Sequence, residues 1–139
     1  MRSKICLLSS AWFIGLVACS SSGTLGPPAN LVLSTPPDFT ATVVKVEFES
    51  GNGPGGPYSQ HNVWLIIPPS TVANAGLVVA KEAPVFVRTR DGIFSSSSSG
   101  IKVGDRVEVW HDFQVGYGAV EGPPGAPTYM DLKQIVIDR

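Results

Sequence analysis

The chain has little of what usually announces a chemistry. Its 139 residues include two cysteines and two histidines. Both cysteines, Cys6 and Cys19, lie close to the N-terminus. A chain processed at Cys19 keeps a single thiol, so no internal disulfide can form and the core must hold the fold unaided. Charge is also sparse, at 15% of residues with a formal net charge of -1. There is no basic stripe of the kind that neutralises phosphates, which argues against a nucleic-acid partner. No apolar run approaches the ~20 residues that a membrane-spanning helix needs.

Catalytic patterns are missing as well. Gly51, Gly53, Gly55 and Gly56 are interleaved with Pro54 and Pro57, and proline lacks the amide hydrogen that a phosphate cradle uses. His61 and His111 have no metal-ligand spacing. The strand order inferred below puts His61 before the second strand and His111 at the end of the fourth, at opposite ends of a barrel. A metal site would have to recruit carboxylates such as Asp112 or Asp91; Asp105 and Asp112 read as solvated turn carboxylates, and the Ser95 to Ser99 run reads as a flexible loop rather than a nucleophile's scaffold. We therefore expect no catalytic residue, no metal and no cofactor.

What is present begins at the N-terminus. Arg2 and Lys4 precede a mostly apolar run from Ile5 to Val17, and Ser20, Ser21, Ser22 and Gly23 stop it. This is the layout of a secretory signal. Leu16-Val17-Ala18-Cys19 resembles the lipobox of bacterial lipoproteins. That resemblance implies removal of residues 1–18, diacylglyceryl transfer to the Cys19 sulfur, and commonly a further acyl chain (such as palmitate) on the new amine. Two or more chains anchor firmly where one binds only marginally, at about 0.8 kcal/mol per buried methylene. The partner so implied is a membrane and the location the cell envelope. Ser20 rather than aspartate after the cysteine favours the outer membrane, if the cell has one.

Residues 19–38 are rich in Ser, Gly and Pro and read as a tether, with Leu31-Val32-Leu33 as a candidate edge strand. From Phe39 to Arg139 the pattern alternates with a period of two, which indicates strands with one buried side. Thr42, Val44, Val46 and Phe48 share one face; Val63, Leu65 and Ile67 mark a second strand; Val85 and Val87 mark a third, with Phe86, Arg88 and Arg90 outward. Val107 and Val109 mark a fourth, with Trp110 outward. In the fifth, Met130 and Leu132 take one parity and Ile135 and Ile137 the other, so one extra residue at Lys133 or Gln134 must form a β-bulge. Thr71 to Ala75, between Ser70 and Gly76, suits a helical turn.

The expectation is an all-β domain over residues 39–139, a small five-stranded barrel. Ile101 to Trp110 resembles the fourth strand of OB-fold barrels, and Ile135-Val136-Ile137 resembles their closing strand. With the lipobox, the ending is similar to that of small uncharacterised bacterial lipoproteins with an OB-like barrel. The chain departs from the OB pattern in having Phe94, Ser95 to Ser99 and Gly100 where a helix joins the third and fourth strands.

The candidate ligand-binding residues are aromatic or basic: Tyr58, Trp64, Phe86, Arg88, Trp110 and Tyr117. Ser50 to His61 and Phe113 to Thr128 read as the long Gly/Pro-rich loops that border the OB binding face. A tether segment or a second small core would instead cover the outward rings. The functional expectation is a non-enzymatic, membrane-anchored module for an envelope protein or polymer. The alternatives are an assembly accessory or, with least support, an anchored hydrolase or metalloenzyme. The address is directly testable: Cys19→Ala should accumulate precursor that no longer incorporates labelled fatty acid, and unchanged labelling would exclude a lipobox.

Overall fold

The computed structural model describes residues 34–117 and 122–139. The signal, most of the tether and Leu31-Val32-Leu33 lie outside the described residues. The domain is all-β. Seven strands form one sheet: β1 (Phe39–Gly53), β2 (Gly56–Ile66), β3 (Ala75–Ala80), β4 (Val85–Thr89), β5 (Gly92–Ser96), β6 (Arg106–Tyr117) and β7 (Pro127–Asp138). Five of them close into a ring. β1 pairs antiparallel with β2 and β6, β2 with β3, and β6 with β7, and a parallel β3–β7 pairing shuts the barrel. The ring order β1-β2-β3-β7-β6 is the connectivity of an OB barrel.

Closure is narrow, with only Gly76↔Thr128 and Leu77↔Tyr129 in register. It is also tight, because a Cβ on Gly122 would come within 2.9 Å of the Gly76 Cα. Side chains pointing inward fill the ring. Val43, Val63, Leu65, Leu77, Val107 and Ile135 are each fully buried, and at roughly 1.5–3 kcal/mol per large aliphatic side chain they hold the fold without disulfides.

The alternation of β2, β4, β6 and the end of β7 is as the sequence predicts, and so is the bulge. Trp110 faces Gln134 and His111 faces Leu132, which leaves Lys133 as the extra residue. Asp131 adds a second irregularity, with a φ of 52°. Past it Tyr129, rather than the expected Met130, joins Leu132 against the core.

Four expectations are corrected. In β1 the register steps from Val43↔Leu65 to Lys45↔Trp64, so Val44 is itself a bulge. Ala41, Val43 and then Val46 therefore face the core, while Thr42 and Phe48 are exposed. The expected helical turn near Ala75 is instead the start of β3. The Asn74 amide closes a loop on Ile67, accepting from its N–H at 2.7 Å and donating to its carbonyl at 3.1 Å, and β-branched Val78 and Val79 then favour a strand. The barrel's third strand is thus β3, and Val85–Thr89 belongs to a β4–β5 hairpin that adds to β7 outside the ring. Finally, Ser50 to His61 is no loop: β1 and β2 run on to a tight turn, with Gly53 paired to Gly56.

Outside the ring, Phe86, Trp110 and Val136 are buried together with Ile93 packed on them, a second small core under the added hairpin. The chain leading into β1 lies over this cluster. The Trp110 Nε1–H donates to the Thr35 carbonyl at 2.8 Å, and the His111 amide donates to the Asp38 carboxylate at 2.8 Å. Trp110→Phe should lower the unfolding free energy by about 1 kcal/mol through the lost hydrogen bond. Trp110→Ala should lower it by about 3–5 kcal/mol in urea denaturation. A Trp110→Ala protein as stable as wild type would show that this cluster does not form.

Candidate functional site

The β1–β2 hairpin outruns its neighbours. β6 pairs with β1 only from Phe39 to Thr42, and β3 reaches along β2 only to Gln60. Beyond those limits the two strands have no other strand partner, apart from single backbone bonds at Val43 to Gly104 and Asp105 and at Ser59 to Lys81, and their alternation still divides side chains between two faces. The inner face continues from the core pair Val46↔Val63 to Phe48↔His61 and Ser50↔Ser59. The outer face carries Lys45↔Trp64, Glu47↔Asn62, Glu49↔Gln60 and Gly51↔Tyr58.

At the inner face the barrel opens into a groove of about 300 Å³ lined by Phe48, Ser59, Gln60, His61, Lys81 and the serines Ser97 to Ser99. Phe48 is 64% exposed although it has the parity of the core, and its ring lies 5.3 Å from that of His61. A 3-10 turn, Ser98–Gly100, plugs this end of the barrel. The turn is set by Gly100 N–H donating to the Ser97 carbonyl at 2.8 Å and by Ile101, which is 4% exposed, anchoring it in the core. A Cβ on Gly100 would meet the Ser96 hydroxyl at 2.5 Å, so a larger residue there would turn that hydroxyl aside. So held, Ser98 puts its hydroxyl 2.9 Å from His61 Nδ1, and the Ser97 and Ser99 hydroxyls bond each other at 2.8 Å.

The outer face is a polar network around Glu49. Its carboxylate accepts from Asn62 Nδ2 at 2.7 Å, from the Tyr58 hydroxyl at 2.9 Å and from Gln60 Nε2 at 3.3 Å. The Asn62 bond, followed by that of Tyr58, holds the Glu49 carboxyl below its ordinary range. Lys45 sits 4.2 Å from the centre of the Trp64 ring and pairs with Glu47 at 2.8 Å.

The structure puts two of the expected site residues on one strand face, six residues apart, and scatters the others. Tyr58 and Trp64 share the outer face of β2. Phe86 and Trp110, at 7% and 4% exposure, belong to the second core instead of a surface. Arg88 is committed to Asp138 at 2.8 Å and Glu108 at 2.9 Å, bonds that raise its pKa further. Tyr117 ends β6 opposite Pro127; the expected second loop reduces to the connection between these residues, of which 118–121 lie outside the described residues.

His61 lies within β2 rather than before it, and His111 lies within β6, stacked on Tyr129 at 4.5 Å and Phe39 at 5.8 Å. Among the described residues no three metal-ligating side chains cluster, and no helix is long and apolar enough to cross a membrane. Sequence reasoning passed over Phe48, His61, Lys81 and Ser97 to Ser99 as a group. The available signal was the apolar Ile101 just past Gly100 at the end of the serine run, which ties that run to the core.

Because the carboxyl of Glu49 titrates lower folded than unfolded, its contribution to stability is complete above the ordinary carboxylate range. It fades as pH falls through the lowered value. Asn62→Ala should move the Glu49 titration upward, towards the ordinary range, in a side-chain carboxyl NMR experiment; an unmoved titration would mean that the Asn62 bond is not made. No protein-family model, curated protein or solved structure matches this chain, so its site rests on its own geometry.

Proposed function

We propose that this chain is a bacterial envelope lipoprotein, anchored through acyl chains on Cys19, whose OB-like barrel is a non-enzymatic binding module that meets its ligand at the groove beside Phe48. Leu16-Val17-Ala18-Cys19 supports the anchor, and Ser20 after it favours the outer membrane. One observation carries the contact site. Phe48 has inner-face parity yet is 64% exposed, on a strand end that β6 does not cover. A large apolar side chain held in water beside a concave groove favours a binding role, because ligand pockets join apolar walls to a few convergent polar groups.

A second reading, a barrel that only docks on envelope partners as an assembly accessory, is favoured by Phe86 and Trp110. These rings are packed under the β4–β5 hairpin and the Thr35 segment instead of being presented to a ligand. The two readings separate on Phe48→Ser. In the binding reading this variant loses capture of the envelope component that wild type retains, while its thermal midpoint barely moves, since exposed substitutions usually change stability by within about 0.5 kcal/mol. Undiminished capture would exclude the groove and leave the accessory.

A further inference from the structure

We infer that the groove is an oxyanion site for a small phosphate monoester, with the phosphate on Lys81, His61 and the Ser97 to Ser99 turn and the organic part against Phe48. The inference rests on the groove being the binding site and adds the chemistry of what it takes.

Charge is the first support. Of the other described cations, Lys45, Arg88, Arg90, Lys133 and Arg139 each have a carboxylate within ion-pair distance, while Lys102 and Arg106 have none but lie outside this groove. Lys81 has no carboxylate within ion-pair distance among the described residues, and the groove that it lines contains no acidic side chain. In a chain of net charge -1, this is a local surplus of positive charge at a concave site. Glu82 follows Lys81 in sequence, and Glu47 and Glu49 stand on the opposite face of the hairpin. Their repulsion is screened over about 8 Å at physiological salt, whereas a phosphate in the groove would touch the donors directly.

Hydrogen counting is the second. A neutral His61 and Ser98 have two polar hydrogens between them and use one in their mutual bond; Ser97 and Ser99 likewise have two and use one. Whichever tautomer and rotamers are adopted, each pair has a donor to spare. With the Lys81 ammonium they give the groove several donors, enough for a tetrahedral oxyanion with three accepting oxygens. A neighbouring cleft lined by Ser95, Ser96, Lys102 and Arg139 is also donor-rich, but the Arg139 guanidinium is taken by Asp105 at 2.8 Å and the Gly100 carbonyl at 2.6 Å.

Size and apolar surface are the third. About 300 Å³ is at the small end of ligand sites, and the tilted pair of Phe48 and His61 offers ring surface for a planar or cyclic body. The phosphate can belong to a soluble ester or to a lipid headgroup, since both present the same monoester.

The test titrates the mature acylated protein, held in phosphatidylcholine nanodiscs, with phenyl phosphate, inorganic phosphate and phenol by isothermal calorimetry. A parallel arm adds phosphatidic acid to the discs and asks whether it competes with phenyl phosphate. Phenyl phosphate should bind one to one and more tightly than either inorganic phosphate or phenol. Lys81→Gln and Ser99→Ala, both at exposed positions, should each weaken it, the former by about tenfold or more for a lost charge-assisted bond. Phe48→Ala should weaken phenyl phosphate while sparing inorganic phosphate. Competition from phosphatidic acid that Lys81→Gln abolishes would assign the headgroup as the source, and its absence would assign a soluble ester. Phenol binding as tightly as phenyl phosphate, or Lys81→Gln binding as wild type does, would overturn the oxyanion inference and leave a ring-binding groove. No binding of any probe, with capture of an envelope component still dependent on Phe48, would overturn the inference alone. If that capture were also independent of Phe48, the groove itself would fall.

Discussion

Strand β7 has to serve three neighbours, and the architecture depends on how it does so. It pairs with β6 along most of its length, with β3 at Thr128 and Tyr129, and with β4 from Ile135 to Asp138. A flat strand has only two edges. The extra residue at Lys133 and the left-handed Asp131 turn β7 between its two partners, so that its first half closes the ring while its second half accepts the added hairpin. Without that bend, a sheet ordered β3-β2-β1-β6-β7-β4-β5 would have no means of bringing β3 back to β7.

The added hairpin brings a second consequence. Residues that alternate outward from the barrel are exposed only where nothing lies over them, and here β4, β5 and the chain entering β1 do lie over them. Phe86, Trp110 and Val136 become a core of their own, and Arg88 closes its rim by bridging β6 and β7 through Glu108 and Asp138. The part-exposed ion pairs add little stability by themselves. Their effect is to hold the hairpin in register against β7.

At the other end of the barrel the same detour decides what the open mouth contains. The chain leaves β3, makes the hairpin and must return to β6, and it does so through the serine turn in place of the helix that usually plugs an OB barrel. Ser98 is brought under His61, and Lys81 stands at the exit from β3. The overlong β1–β2 hairpin supplies Phe48 from an inner face that has run out of barrel. A groove with hydroxyls, an imidazole, an ammonium without an ion-pair partner among the described residues and a ring arises where three irregular features meet.

Trp64 was legible as an outward residue because it lies on a regular strand, whereas Tyr58, expected in a loop, lies on the outer face of that same strand. The exposure of Phe48 was not legible, because its parity is that of the core and only the length of β1 beyond the reach of β6 leaves it in solvent. β3 was hidden for a related reason: Ala75-Gly76-Leu77-Val78-Val79 is apolar throughout, with five consecutive buried residues, so it lacks the alternation by which strands are recognised. The sequence by itself determined the all-β class, the inward residues of the regular strands and a bulge at Lys133 or Gln134, since each follows from a period of two read along a single segment. Only the tertiary structure decided which strands close the ring, which outward rings are covered, and that the serine run meets His61. Those depend on contacts between segments far apart in the chain, which no local periodicity encodes.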